Sequence, residues 1–123
     1  MMGETPGKVS GPPPHLHNSF KESFLIIEGE LAFIVDGKEQ VVKAGDSVDI
    51  PPGTPHTFRN LSESTCKWVN IHSPKGFAVF FDRIGVPFTD ENAEANSKRP
   101  ELVQEVLETA EQFDMFIQVP KPA

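Results

Sequence analysis

The sequence predicts an all-β, antiparallel sandwich or barrel followed by C-terminal helices. Three observations carry that prediction. Short runs of β-branched and aromatic residues recur from position 15 to position 72, each stopped by Gly, Pro, Asn or Asp. Spacing that fits a helix appears only after Pro74. Within the strand-like part stand His15, His17, Glu22 and His56, with turn residues at fixed offsets between them.

Residues 1–10 read as a flexible N-terminal segment, polar and Gly/Pro-rich. Pro12, Pro13 and Pro14 then force an extended approach to His15. Ser23 to Ile27 is a strand ended by Glu28-Gly29, and Leu31 to Val35 a second, closed by the hairpin dipeptide Asp36-Gly37. Gln40 to Val42 leads into a turn at Ala44-Gly45-Asp46, and Ser47 to Ile50 is stopped by Pro51-Pro52-Gly53. His56 to Asn60 and Lys67 to His72 complete the set. The barrel core is thus expected at 11–73, and 74–123 as a helical extension packed on the outer face of the barrel or on a partner. In that extension Phe77, Phe80, Phe81 and Ile84 fall at i, i+3, i+4 and i+7, with Gly85 as the stop. Residues 88–99 are polar and read as a loop. Pro100 and Glu101 then open a second helix with an apolar stripe of Leu102, Val103, Val106, Leu107 and Ala110.

The bulk properties narrow the function classes. A chain of 123 residues is expected to make one domain, without a fused DNA-binding module. A formal charge of −7 argues against a nucleic-acid surface, which needs clustered Lys and Arg. A lone cysteine, Cys66, makes no internal disulfide, and no run of residues has the length of a signal peptide core or a membrane span. The expectation is a cytoplasmic protein that acts on a small molecule, not on nucleic acid or membrane. Tyrosine is absent and phenylalanine numbers ten, which suits an apolar interior better than a carbohydrate-recognition surface.

Imidazole nitrogens and a carboxylate oxygen are ligand types that divalent first-row metals prefer. Alternate residues of a strand point the same way, so His15 and His17 can offer both rings to one face. Gly29, Gly45 and Gly53 are assigned to turns that need positive φ, and Asn60 to a hydrogen bond at a turn or strand end.

At these residues the sequence resembles the cupin superfamily. His15-x-His17-x4-Glu22-x6-Gly29 is similar to the first cupin motif, and Gly45-x5-Pro51-x-Gly53-x2-His56-x3-Asn60 is similar to the second. Two departures stand out: Gly11 lies closer to His15 than the motif places its glycine, and only about a dozen residues precede the first motif. His72-Ser73-Pro74-x-Gly76-Phe77 and Phe80-Phe81 resemble a group of small bacterial cupins termed quercetin dioxygenase-like. The resemblance implies a double-stranded β-helix, or jelly roll. It also implies a divalent transition metal (Fe, Mn, Ni, Co, Cu or Zn) held by His15, His17, Glu22 and His56. Glu22 would then be both a ligand and a candidate general base.

Other residues carry alternatives. His72 either points inward near the site or caps its strand, and Cys66 reads as structural. Phe24, Phe33, Phe58 and Trp68 line a pocket for a flat substrate or are plain core. Three functions follow: a dioxygenase for an enol or aromatic substrate, an isomerase or decarboxylase for a small acid or sugar phosphate, and a non-enzymatic ligand-binding cupin. An anionic substrate would draw on Arg59 or Lys67. A homodimer is expected, because the short N-terminus leaves strand edges to be covered.

Overall fold

The computed structural model describes residues 1–74, 78–87 and 89–118. Two antiparallel sheets face each other in a jelly roll. One has the strand order β1-β8-β3-β6 and the other β5-β4-β7-β2-β9. The strands are β1 (Met2–Thr5), β2 (His15–Leu16), β3 (Lys21–Glu28), β4 (Glu30–Val35), β5 (Lys38–Lys43), β6 (Ser47–Ile50), β7 (His56–Arg59), β8 (Cys66–Ser73) and β9 (Phe116–Ile117). Helices α1 (Ala78–Ile84), α2 (Ala93–Ser97) and α3 (Pro100–Thr109) follow β8, and a 3-10 turn, Ala110–Phe113, leads into β9.

Pattern and turn chemistry explain the sheets. In β3, Glu22, Phe24 and Ile26 are buried while Lys21, Leu25 and Ile27 are exposed, the period-2 alternation of a half-buried strand. Asp36 and Gly37 both take positive φ, 50° and 78°, as a two-residue hairpin requires. Gly29 stands at φ 83°, and a Cβ there would lie 2.9 Å from the carbonyl oxygen of Thr65, so the β3–β4 turn admits only glycine without a shift. Phe24, Ile26, Leu31, Phe33, Val42, Val48, Ile50 and Cys66 fill the space between the sheets. Asn60, almost fully buried, donates to the carbonyls of Thr5 and Ser64 and accepts from the backbone N–H of Ser62. It fastens the loop after β7.

The structure departs from the sequence reading in four places. The N-terminal segment is not loose: Met2 to Thr5 pairs with Val69 to Cys66 as β1. Its register is set by Trp68, whose ring leaves no room for a side chain at Gly3 and whose Nε1 donates to Thr5 Oγ1 at 3.0 Å. The polar stretch 88–99 contains α2, whose entry is tied down by Asp90 accepting from the backbone N–H of Asn92. The C-terminal extension is not wholly helical, since β9 pairs with β2. Finally, α1 and α3 do more than pack on the barrel: together with it they wall a cavity. Phe20, Phe80, Ile84, Ala110 and Met115 form a second apolar cluster there. Phe77, the first residue of the expected α1 stripe, lies outside the described residues.

Candidate metal centre

His15 opens β2 and pairs directly with His56, the first residue of β7. His17 stands one residue beyond β2, and Glu22 is the second residue of β3, opposite His72 of β8. The second motif turn fixes this arrangement: Gly53, at φ 77°, donates its N–H to the carbonyl of His17 at 2.6 Å. One ligand atom from each of His15, His17 and His56 lies within 4.8 Å of the others. All four motif residues are buried.

Each histidine of the triad has its Nδ1 on a backbone carbonyl: His15 on Pro13 at 2.8 Å, His17 on Asp114 at 2.7 Å and His56 on Thr54 at 2.9 Å. A carbonyl only accepts, so each Nδ1 carries a proton and each ring turns its Nε2 toward the site. Glu22 Oε2 lies 3.1 Å from His56 Nε2 and 3.4 Å from His17 Nε2. A carboxylate only accepts, so contacts this short in a buried site need a cation between the groups, either a proton on an Nε2 that donates to Glu22 or a metal ion. The donor set therefore fits a metal ion, and the Nδ1–carbonyl bonds fix the imidazole orientation that such an ion would need.

The electrostatics agree. Burial, reinforced by His56 and His17 and opposed by the hydrogen bond to Pro13, pushes His15 down to about 4, so the ring is neutral at pH 7. Burial works against ionisation of Glu22, but its contacts with His17, His56 and His72 outweigh it. They hold the carboxyl well below the usual carboxylate range. The other oxygen, Oε1, accepts from Asn70 Nδ2 at 2.8 Å and lies 3.5 Å from His72 Nε2. His72 thus points inward and meets the back of the glutamate.

The site opens on a cavity of about 670 Å³, within the range of small-molecule pockets. Phe24, Phe58 and Trp68 lie on its wall near the cluster, and Phe80, Ile84, Leu102 and Val106 on the side formed by the helices. Phe33 belongs to the core instead. No Lys or Arg lines the cavity among the described residues: Arg59 pairs with Glu39 and Lys67 with Glu28 outside it. Cys66 is buried, and its thiol is pushed up to about 11 by that burial, so a reactive thiolate is absent at neutral pH.

Two residues of this site escaped the sequence reading. Asp114 holds φ 59° in the left-handed region, which Asp tolerates better than most residues. From there its carbonyl accepts a hydrogen bond from His17 Nδ1, and its carboxylate accepts from the backbone N–H groups of Asn18 and Ser19 at 2.9 and 2.8 Å. Asn70 is the second, and only its place opposite Phe24 beside the glutamate marks it.

Known proteins share this architecture. The sequence profile described as "Cupin domain" matches residues 2–72. Quercetin 2,3-dioxygenase of Bacillus subtilis (strain 168) is 33% identical over 82 residues, 67% of this chain and 24% of that protein. The HTH-type transcriptional regulator PuuR of Escherichia coli (strain K12) is 32% identical over 79 residues, 63% of this chain and 42% of that protein. The chain therefore spans less than half the length of either. A crystal structure described as a predicted oxalate decarboxylase from Thermotoga maritima superposes with a TM-score of 0.55 at 25% identity, covering 58% of this chain and 61% of that one. With the two facing sheets, the histidine group and a profile match over more than half its length, the chain belongs to the cupin family.

Proposed function

We propose that this chain is a metal-dependent enzyme of the dioxygenase type, acting on an enol or an aromatic, flavonol-like substrate. The observation that carries the proposal is the pairing of a lone-pair-rich His/Glu cluster with a cavity walled by Phe, Trp and aliphatic residues. His15, His17, His56 and Glu22 are the proposed ligands, with Glu22 Oε2 facing the histidines. A transition metal bound there would supply Lewis acidity and access to one-electron chemistry. Phe24, Phe58 and Trp68 would hold a flat ring, and the surrounding apolar wall would exclude water. Glu22 would accept a hydrogen bond from the substrate hydroxyl. With its carboxyl held so low it is a weak base, so it takes that proton only from a hydroxyl already acidified at the site.

Similarity to the B. subtilis quercetin 2,3-dioxygenase supports the same reading. An isomerase or decarboxylase for a small acid or sugar phosphate is disfavoured, since Arg59 and Lys67 are engaged elsewhere and no other Lys or Arg lines the cavity among the described residues. We include a homodimer in the proposal. Its support is an apolar strip on the outer face of the four-stranded sheet, where exposed Met2 and Leu25 flank half-buried Val69 in one cross-strand row with exposed Ile71 and Ile27 beside it. The enzymatic reading is tested by oxygen uptake of metal-loaded protein with quercetin and a panel of enols. Metal-dependent consumption of oxygen is expected. A complete lack of turnover with every metal in the series would leave the non-enzymatic ligand-binding alternative.

A further inference from the structure

Strand β8 sends Trp68, Asn70 and His72 to the inside of the barrel, opposite Ile26, Phe24 and Glu22 in turn. Asn70 thus stands between the aromatic wall and the His/Glu cluster. It is 3% exposed, its Nδ2 donates to Glu22 Oε1 at 2.8 Å, and it lines the cavity. Its Oδ1 is buried with no hydrogen-bond partner among the described residues. Exchanging the amide nitrogen and oxygen cannot repair this, because an ionised carboxylate accepts only and Nδ2 must face Glu22. The amide carbonyl is therefore an unspent acceptor in a residue that lines the cavity and holds Glu22. A buried acceptor left unpaired is costly, so a ligand that brings a donor there gains more than it would from an exposed group.

We propose that Asn70 determines specificity by accepting a hydrogen bond from a free hydroxyl of the substrate. The geometry defines the ligand class: a planar, uncharged ring or enol with two neighbouring oxygen functions, one at the His/Glu cluster and the other a hydroxyl on Asn70 Oδ1. The ring itself packs on Phe24, Phe58 and Trp68, whose centroids lie 5.4–6.2 Å apart. Blocking the second oxygen as a methyl ether removes the donor and leaves Oδ1 unpaired. The inference rests on the proposed function for its ligand at the cluster, and it adds the residue that selects among such ligands.

The test compares catechol with 2-methoxyphenol by calorimetric titration into zinc-loaded protein, a redox-inert form. Zinc stoichiometry is established beforehand for every variant. Wild type is expected to bind catechol about tenfold more tightly, the effect of one unpaired buried acceptor. In Asn70→Ala the ratio between the probes should fall to about one, even where both bind more weakly through a loosened Glu22. A residue that merely props Glu22 would weaken both probes equally and leave the ratio intact, and that result overturns the inference alone. So does a wild-type ratio of one. If Asn70→Ala does not fold, Asn70→Ser makes the same comparison, with a hydroxyl still able to donate to Glu22 but a shorter reach into the cavity. Failure of zinc-loaded wild type to bind either probe would overturn both the inference and the substrate class proposed above.

Discussion

At the scale of single residues, the site is built on a conflict that the backbone imposes. Three carbonyls accept hydrogen bonds from Nδ1 of His15, His17 and His56, and the rings then turn Nε2 toward one another and toward Glu22. A neutral, buried His15 has a consequence for stability. Its value is about 4 folded against an ordinary 6.5, so between these pH values the unfolded chain binds a proton that the folded chain does not. Stability must therefore fall as pH drops from 6.5 toward 4, by about 3 kcal/mol at full effect from this residue alone. Glu22 acts with the same sign but lower on the scale, since its stabilising charge is present above the ordinary carboxylate value and is lost as pH falls below it. Urea unfolding of the EDTA-treated protein at pH 7, 6, 5 and 4 should show this decline, and His15→Gln should flatten the part above pH 4. An equal slope in both proteins would show that other groups set the acid sensitivity.

At the scale of elements, much of the fold was legible, and the motif residues could be named as candidates for the site. Asp36-Gly37, Gly45 and Gly53 set turns that only small or φ-permissive residues fit, and alternation in β3 fixed which residues face inward. What stayed hidden has physical reasons. β1 consists of Met-Gly-Glu-Thr, with no strand-like pattern, and forms because Gly3 admits the Trp68 ring. β9 is two residues long and is a strand only because β2 offers an edge. Asp114 reaches His17 through a backbone carbonyl from 97 residues away, and a carbonyl carries no residue-type signature. The C-terminal extension is thus part of the site and not a cover for it. Asp114→Ala, which removes the clamp on Asn18 and Ser19 and disfavours the left-handed backbone, should weaken metal affinity tenfold or more. Asp114→Asn should recover most of that, as it tolerates the same backbone and keeps one acceptor. Metal titration with a competing chelator reads both variants. Unchanged affinity in Asp114→Ala would detach the extension from the centre.

At the scale of the whole molecule, the sheets divide the labour. The inner faces carry the core and the His/Glu cluster, and the helices complete the cavity from outside the barrel. The expected dimer now rests on other grounds. β1 and β9 cover the β8 and β2 edges that the sequence left open, whereas Leu25, Ile27 and Ile71 remain exposed on the outer face of the four-stranded sheet. Analytical ultracentrifugation at micromolar concentration should give a dimer, and Leu25→Lys with Ile71→Lys should give a folded monomer. A wild-type monomer would remove that part of the proposal. The central claim is that the converging side-chain nitrogens and oxygens of His15, His17, His56 and Glu22 are there to hold a metal. Elemental analysis of freshly purified protein, with no metal added and with His56→Ala alongside, tests it most directly. Near one equivalent of a transition metal in wild type, largely lost in the variant, is the predicted result. No metal in either, and none taken up on reconstitution by a folded wild type, would contradict it.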